Sequence, residues 1–148
     1  MASFTGGTAL QRKLTEIAKQ IESASSVRVG FLEDSTYDDG TQTAYVAALN
    51  EFGDPDHNQP PRPFFRNMIA ANQGGWGAAL GKTLKASNFN TEQAFSLMGD
   101  GMKGQLQKSI QQLDSPPLSP KTIARKGFSK PLIDTGHMFN SVDYEVKK

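Results

Sequence analysis

The chain has 148 residues, 36% of them hydrophobic and 21% charged, enough for one compact domain with a core, and it has no cysteine with which to build a disulfide framework or a thiolate zinc site. No stretch approaches the roughly 18 consecutive apolar residues of a membrane span, and residues 1–7 lack the basic and apolar regions of a signal peptide, so a soluble, unsecreted protein is expected. The net charge of +1 hides a division: residues 1–60 contain four Lys or Arg against nine Asp or Glu, and residues 61–148 contain twelve against six.

Leu10, Leu14, Ile17 and Ile21 recur at helical spacing, which predicts an amphipathic helix over 8–23. Residues 27–32, rich in branched and aromatic side chains, read as a strand on whose sheet that helix is expected to pack. Residues 33–42 are acidic and aperiodic, contain Asp38-Asp39-Gly40, and predict a loop or a long hairpin connection with a mobile tip. Good helix formers over 44–52 end at Gly53, a helix stop. Pro63 suits the first turn of the next helix, which runs past Phe64 and whose glycines 74, 75, 77 and 81 cost about 1 kcal/mol each, so a break near Gly74 is expected.

Asn90 and Gln93 form a capping pair that opens a long helix over 91–113, with Ala94, Met98, Met102, Leu106, Ile110 and Leu113 on one stripe. Gly99, Gly101 and Gly104 within it mark close approach of another backbone or a subunit contact. The prolines at 116, 117 and 120 make a stiff connector, Ser119 caps a short basic helix over 121–126, and Gly127 closes it. A helical turn through Ser141 leads to a final alternating strand over 142–146, expected to join the first. The whole predicts an α+β fold, a small, mainly antiparallel sheet packed with several helices in one domain over 1–148.

Chemistry-bearing patterns are thin. Residues 77–83 imitate a phosphate-binding loop, but Gly77 stands one position too late and no strand precedes it. Asp34, Asp38 and Asp39 fail the calcium-loop ladder, because Thr36, Asp39 and Tyr45 stand where a ligand, the turn glycine and the closing Glu belong. His137, Ser141 and Asp134 lack the strained elbow that exposes a nucleophile, and His57 sits in polar surroundings beside Asp54 and Asp56. Arg62, Phe64, Phe65 and Arg66 combine cations with rings as a nucleic-acid surface does, yet two phenylalanines opening a helix point more strongly to core packing. Neither an enzyme nor a cofactor or metal site is expected.

Two segments carry more than generic physics. Asn50-Glu51-Phe52-Gly53 leads to Pro60-Pro61-Arg62-Pro63-Phe64-Phe65-Arg66, and Pro131-Leu132-Ile133-Asp134-Thr135-Gly136 stands near the end, with Leu118-Ser119-Pro120, Thr122-Ile123 and Lys126 between them. In this order they resemble the phage tail-completion and virion-morphogenesis, or head-tail joining, proteins over about residues 46–146. The resemblance implies a structural virion protein of a tailed bacteriophage, assembled in the host cytoplasm as a homo-oligomeric ring, a hexamer or dodecamer, at the head-tail junction or the head-proximal tail end. Its partners would be neighbouring connector and tail-tube proteins, with a passing contact with genomic DNA and no membrane. A tail terminator or a collar (neck) protein is the alternative within that class; a DNA-contacting assembly accessory, through the basic stretch 121–130, is the alternative outside it.

The residues expected to form the interface or motif are Glu51, Phe52, Gly53, Pro61, Arg62, Pro63, Phe64, Phe65, Arg66, Leu132, Asp134, Thr135 and Gly136. Arg62 is expected to anchor the proline loop on a carboxylate or backbone carbonyl with Phe64 and Phe65 buried beside it, and Asp134 and Thr135 to cap the helix that follows. The unlike charge of the two parts of the chain favours contacts between unlike faces of neighbours.

Overall fold

A computed structural model describes residues 6–24, 26–133 and 136–148. The first strand, β1 (Ser26–Phe31), and the last, β2 (Val142–Lys147), pair antiparallel with Val29 opposite Tyr144 and Phe31 opposite Val142. Strict alternation therefore puts Val27, Val29, Phe31, Val142, Tyr144 and Val146 on one face of the two-stranded sheet, and Arg28 and Glu145 on the other. The apolar face is covered by a long helix, α4 (Thr91–Gln112). Numbered in chain order, the other helices are α1 (Gly7–Ile21), α2 (Thr43–Phe52), α3 (Phe64–Ala86), α5 (Pro120–Lys126) and α6 (His137–Asn140), so the fold is α+β.

Helices α3 and α4 form the main packed pair. The chain turns between them through Asn88 and Phe89, both at positive φ, and the Asn90 side chain accepts a hydrogen bond from Gln93 N at 3.0 Å, as the capping pattern predicts. The core is one cluster in which Ala47 of α2, Phe64 and Met68 of α3, Leu106 and Ile110 of α4, Leu132, Met138 of α6 and Val142 of β2 meet. Ser109 Oγ donates to Phe64 O at 2.6 Å and fastens the second half of α4 to the start of α3.

Two expectations are corrected. Helix α3 runs without a break through Gly74, Gly75, Gly77 and Gly81. The packing along α4 and the bond from Trp76 Nε1 to Gln105 Oε1 at 2.9 Å hold it together, offsetting the low helical propensity of glycine. Helix α1 does not pack on the sheet, because α4 already occupies the apolar face; none of its residues is buried, and Leu10 and Leu14 remain 60% and 56% exposed. Its C-terminal end is held instead by Thr91, whose Oγ1 lies 3.1 Å from Gln20 O and accepts from Ala24 N at 3.0 Å.

Residues 33–42 close on themselves as a short hairpin. Thr36 bridges Gln42, Tyr37 N donates to Thr41 O at 2.8 Å, and Asp39 Oδ1 accepts from Thr41 N at 2.9 Å. That last bond holds the Asp39 carboxyl below its ordinary pKa. The Tyr37 ring rests against His137 of α6, with ring centroids 4.3 Å apart.

Candidate functional site

The residues of the first motif converge on the start of α3. Pro63, at the N-cap, offers no side-chain acceptor for the free amides of the first turn. Glu51, the next-to-last residue of α2, supplies it from outside the helix: its carboxylate accepts from Phe65 N at 2.9 Å, from Arg66 N at 3.3 Å and from Arg66 Nε at 2.7 Å. The carboxylate is almost fully buried, so an anion out of water is met by two backbone donors, the positive end of a helix dipole and a guanidinium. Arg66 reaches back further, donating from Nη2 to Glu51 O at 3.1 Å and lying 5.4 Å from the centroid of the Phe52 ring.

The turn between the two helices needs glycine. Gly53 has φ 78°, and a Cβ there would meet Gln59 O at 2.7 Å and Pro61 N at 2.8 Å. Asp54 and Gln59 bridge across this loop, and Arg62 N donates to Asn50 O at 2.7 Å, closing it back on α2. The Arg62 side chain then donates from Nε to Pro116 O at 3.3 Å, the carbonyl anchor expected, although the carbonyl belongs to the proline connector after α4 and not to the loop in which Arg62 stands. Burial pushes the Arg62 guanidinium below its ordinary pKa. Phe64 is buried in the core and Phe65 half-buried over Gly30 of β1, so packing accounts for this pair of rings.

Of the second motif, Leu132 enters the core and Gly136, at φ 78°, occupies the N-cap of α6. Asp134 and Thr135, and with them the expected capping role, lie outside the described residues. No protein-family model, curated protein or solved structure matches the chain.

The other sequence candidates fall apart in space. His137 Nε2 lies 3.2 Å from Thr43 Oγ1, and the fully buried Thr43 also accepts from Ser35 Oγ at 2.8 Å, so the imidazole joins α6 to the start of α2. Ser141 meets His137 through the backbone, its N–H donating to His137 O at 2.9 Å. His57 pairs with Asp54 at 2.7 Å on an exposed turn. Among the described residues no three His, Asp or Glu side chains gather as metal ligands would, and no helix is long and apolar enough to cross a membrane.

Two surface depressions flank the first motif. A groove of about 770 Å³ runs beside β1 and α2 and is lined by Phe31, Leu32, Ala44, Ala48, Phe52 and Phe65. A cleft of about 940 Å³ on the other side of Arg62 is lined by α5, the 33–42 hairpin and the start of α6. Sequence reasoning missed the groove and the cleft, and it gave Glu51 no role as a cap. A signal for Glu51 exists: it follows Thr43 and Ala47 at four-residue spacing on one helix face, and a carboxylate buried with that face must find donors.

Proposed function

We propose that the chain is a structural subunit of a tailed-phage virion that closes into a homo-oligomeric ring at the head-tail junction or the head-proximal end of the tail. The observation that carries this reading is the convergence of the motif residues on one braced corner. Glu51, Gly53, Arg62 and Arg66 lock α2, the proline loop and α3 together, while Phe52 stays 69% exposed at the same corner. Residues that stiffen a corner and present an aromatic side chain suit assembly, where preorganised contacts lose little entropy on docking. Exposed Tyr45, Leu10, Leu14 and Ile21 add apolar surface of the kind a partner covers. A ring would require heterologous contacts between unlike faces, which the acidic first part and the basic remainder of the chain favour.

Cryo-electron microscopy of virions carrying this chain tests the reading. A ring of identical copies in the neck or at the top of the tail is expected; a chain missing from the assembled particle overturns it. A tail terminator or collar protein would place the same ring elsewhere along the neck. The reading as a DNA-contacting accessory is favoured by a separate observation, the cationic lining of the cleft beside α5.

A further inference from the structure

The cleft beside α5 contains a cation that the fold does not fully use. Arg62 is only 6% exposed, yet a guanidinium carries five donors and its side chain makes a single hydrogen bond among the described residues, from Nε to Pro116 O. No carboxylate among the described residues pairs with it. The one sealed-off side-chain polar atom without a partner among the described residues is Ser87 Oγ, so the two Arg62 Nη nitrogens still touch solvent. The depression that Arg62 lines is this cleft.

The remaining lining is unbalanced in the same direction. Arg125 and Lys126 come from α5, and Asp39 is the sole carboxylate among the described lining residues. Lys126 is engaged, donating to Lys130 O at 2.8 Å and lying 4.9 Å from the centroid of the Phe128 ring, while Arg125 is exposed. A deep guanidinium with spare donors and an exposed guanidinium on a different element therefore share one concavity. Leaving a buried cation unpaired is costly, and an anion brought from outside would relieve that cost.

We propose that this cleft is a phosphate-binding site, with Arg62 as the deep contact and Arg125 as the outer one. A carboxylate offers two oxygens in one plane and is satisfied by a single guanidinium fork; a phosphate group spreads its acceptor oxygens in three dimensions and can be held from the 62 loop and from α5 together. At about 940 Å³ the cleft has room for a nucleotide around the phosphate. The phosphate can belong to a free anion or to a polynucleotide backbone. The site stands on Arg62 whether or not the chain closes into a ring.

Titration of the isotope-labelled full chain, followed by amide and Arg Nε–Hε NMR signals, tests this with three probes at matched ionic strength: inorganic phosphate, a short single-stranded DNA and acetate. Saturable shifts at Arg62 Nε–Hε and along residues 119–126 are expected with phosphate and not with acetate. Arg125→Gln is expected to weaken phosphate binding about two- to fivefold, as an exposed charge does, and Arg62→Lys to weaken it more, because the fork is lost. Arg125 is exposed, so its variant decides the matter even if the Arg62 variant does not fold. DNA that competes with phosphate and shows a steep salt dependence identifies a polynucleotide backbone as the source; phosphate binding without DNA binding identifies a free anion. Absence of saturable shifts with phosphate and with DNA, equal binding of acetate, or unchanged binding in Arg125→Gln overturns the proposal.

Discussion

Gly99 of α4 lies flush against the ring of Tyr144 of β2. A Cβ at position 99 would come within 2.8 Å of the ring carbon Cε2 and closer still to Cγ and Cδ2, so the helix can sit this low on the sheet only because residue 99 has no side chain. Gly101 and Gly104, on the same helix, face open space. Gly99→Ala must push α4 off the strand or turn Tyr144 out of place, and a loss of about 1–3 kcal/mol is expected. Gly101→Ala should gain about 1 kcal/mol through helical propensity alone. Urea unfolding of the two variants checks the pair, and equal effects would show that the Gly99 contact does not set the helix height.

Glu51 and Arg66 form an unequal pair. Glu51 is buried against the amides of α3, whereas the Arg66 side chain is 59% exposed. Glu51→Ala leaves the first-turn amides without their acceptor and should cost about 2–4 kcal/mol. Arg66→Ala removes a solvent-screened partner and should cost under about 1 kcal/mol. Chemical denaturation gives both values, and a larger loss for Arg66 would mean that the ion pair, not the helix cap, braces this corner.

The aspartates at 39 and 143 predict a direction for acid behaviour. Asp143 is held below its ordinary pKa first by a backbone hydrogen bond from Tyr144 and then by Lys103, whose Nζ is 3.2 Å away; Asp39 is held down by Thr41. A carboxyl whose folded pKa is depressed adds stability that is present above the unfolded value, about 3.9, and is lost as pH falls through the folded value. Both groups are exposed, so the effect is small. Carbon-detected NMR titration should place both midpoints below about 3.9, and Asp143→Asn should flatten the acid limb of stability against pH. A midpoint at or above that value would remove the role assigned to the Tyr144 and Lys103 contacts.

What the sequence made legible were features local to one segment. The stripe from Ala94 to Leu113 marks α4, and the Asn90 to Gln93 cap is visible within four residues because its partners are neighbours in the chain. The apolar period of α1 is equally visible, but periodicity reports a face and not the surface that covers it, so the sheet was the wrong bed for Leu10 and Leu14. The continuity of α3 through its glycines depends on α4 and on Gln105, which no count of propensities over 64–86 contains. At the candidate site, Arg62 was recognisable as an anchor, while its acceptor, Pro116 O, lies 54 positions away in a second proline segment. The Glu51 cap depends likewise on how α2 and α3 meet.

The glycines of α3 separate folding from assembly. Gly74, Gly75 and Gly77 have open space where a Cβ would be, so replacing each by Ala should raise the stability of the isolated chain by about 1 kcal/mol. Were the proposed ring to bring another copy against this smooth stretch, the added methyl groups would hold the two surfaces apart. The triple Ala variant would then be harder to unfold yet form fewer rings, a combination that a folding defect cannot produce. Thermal unfolding and light scattering on the same samples measure both quantities. Rings at the wild-type level in a stabilised variant would exclude this stretch of α3 from the subunit contact and direct the search to the corner at Phe52.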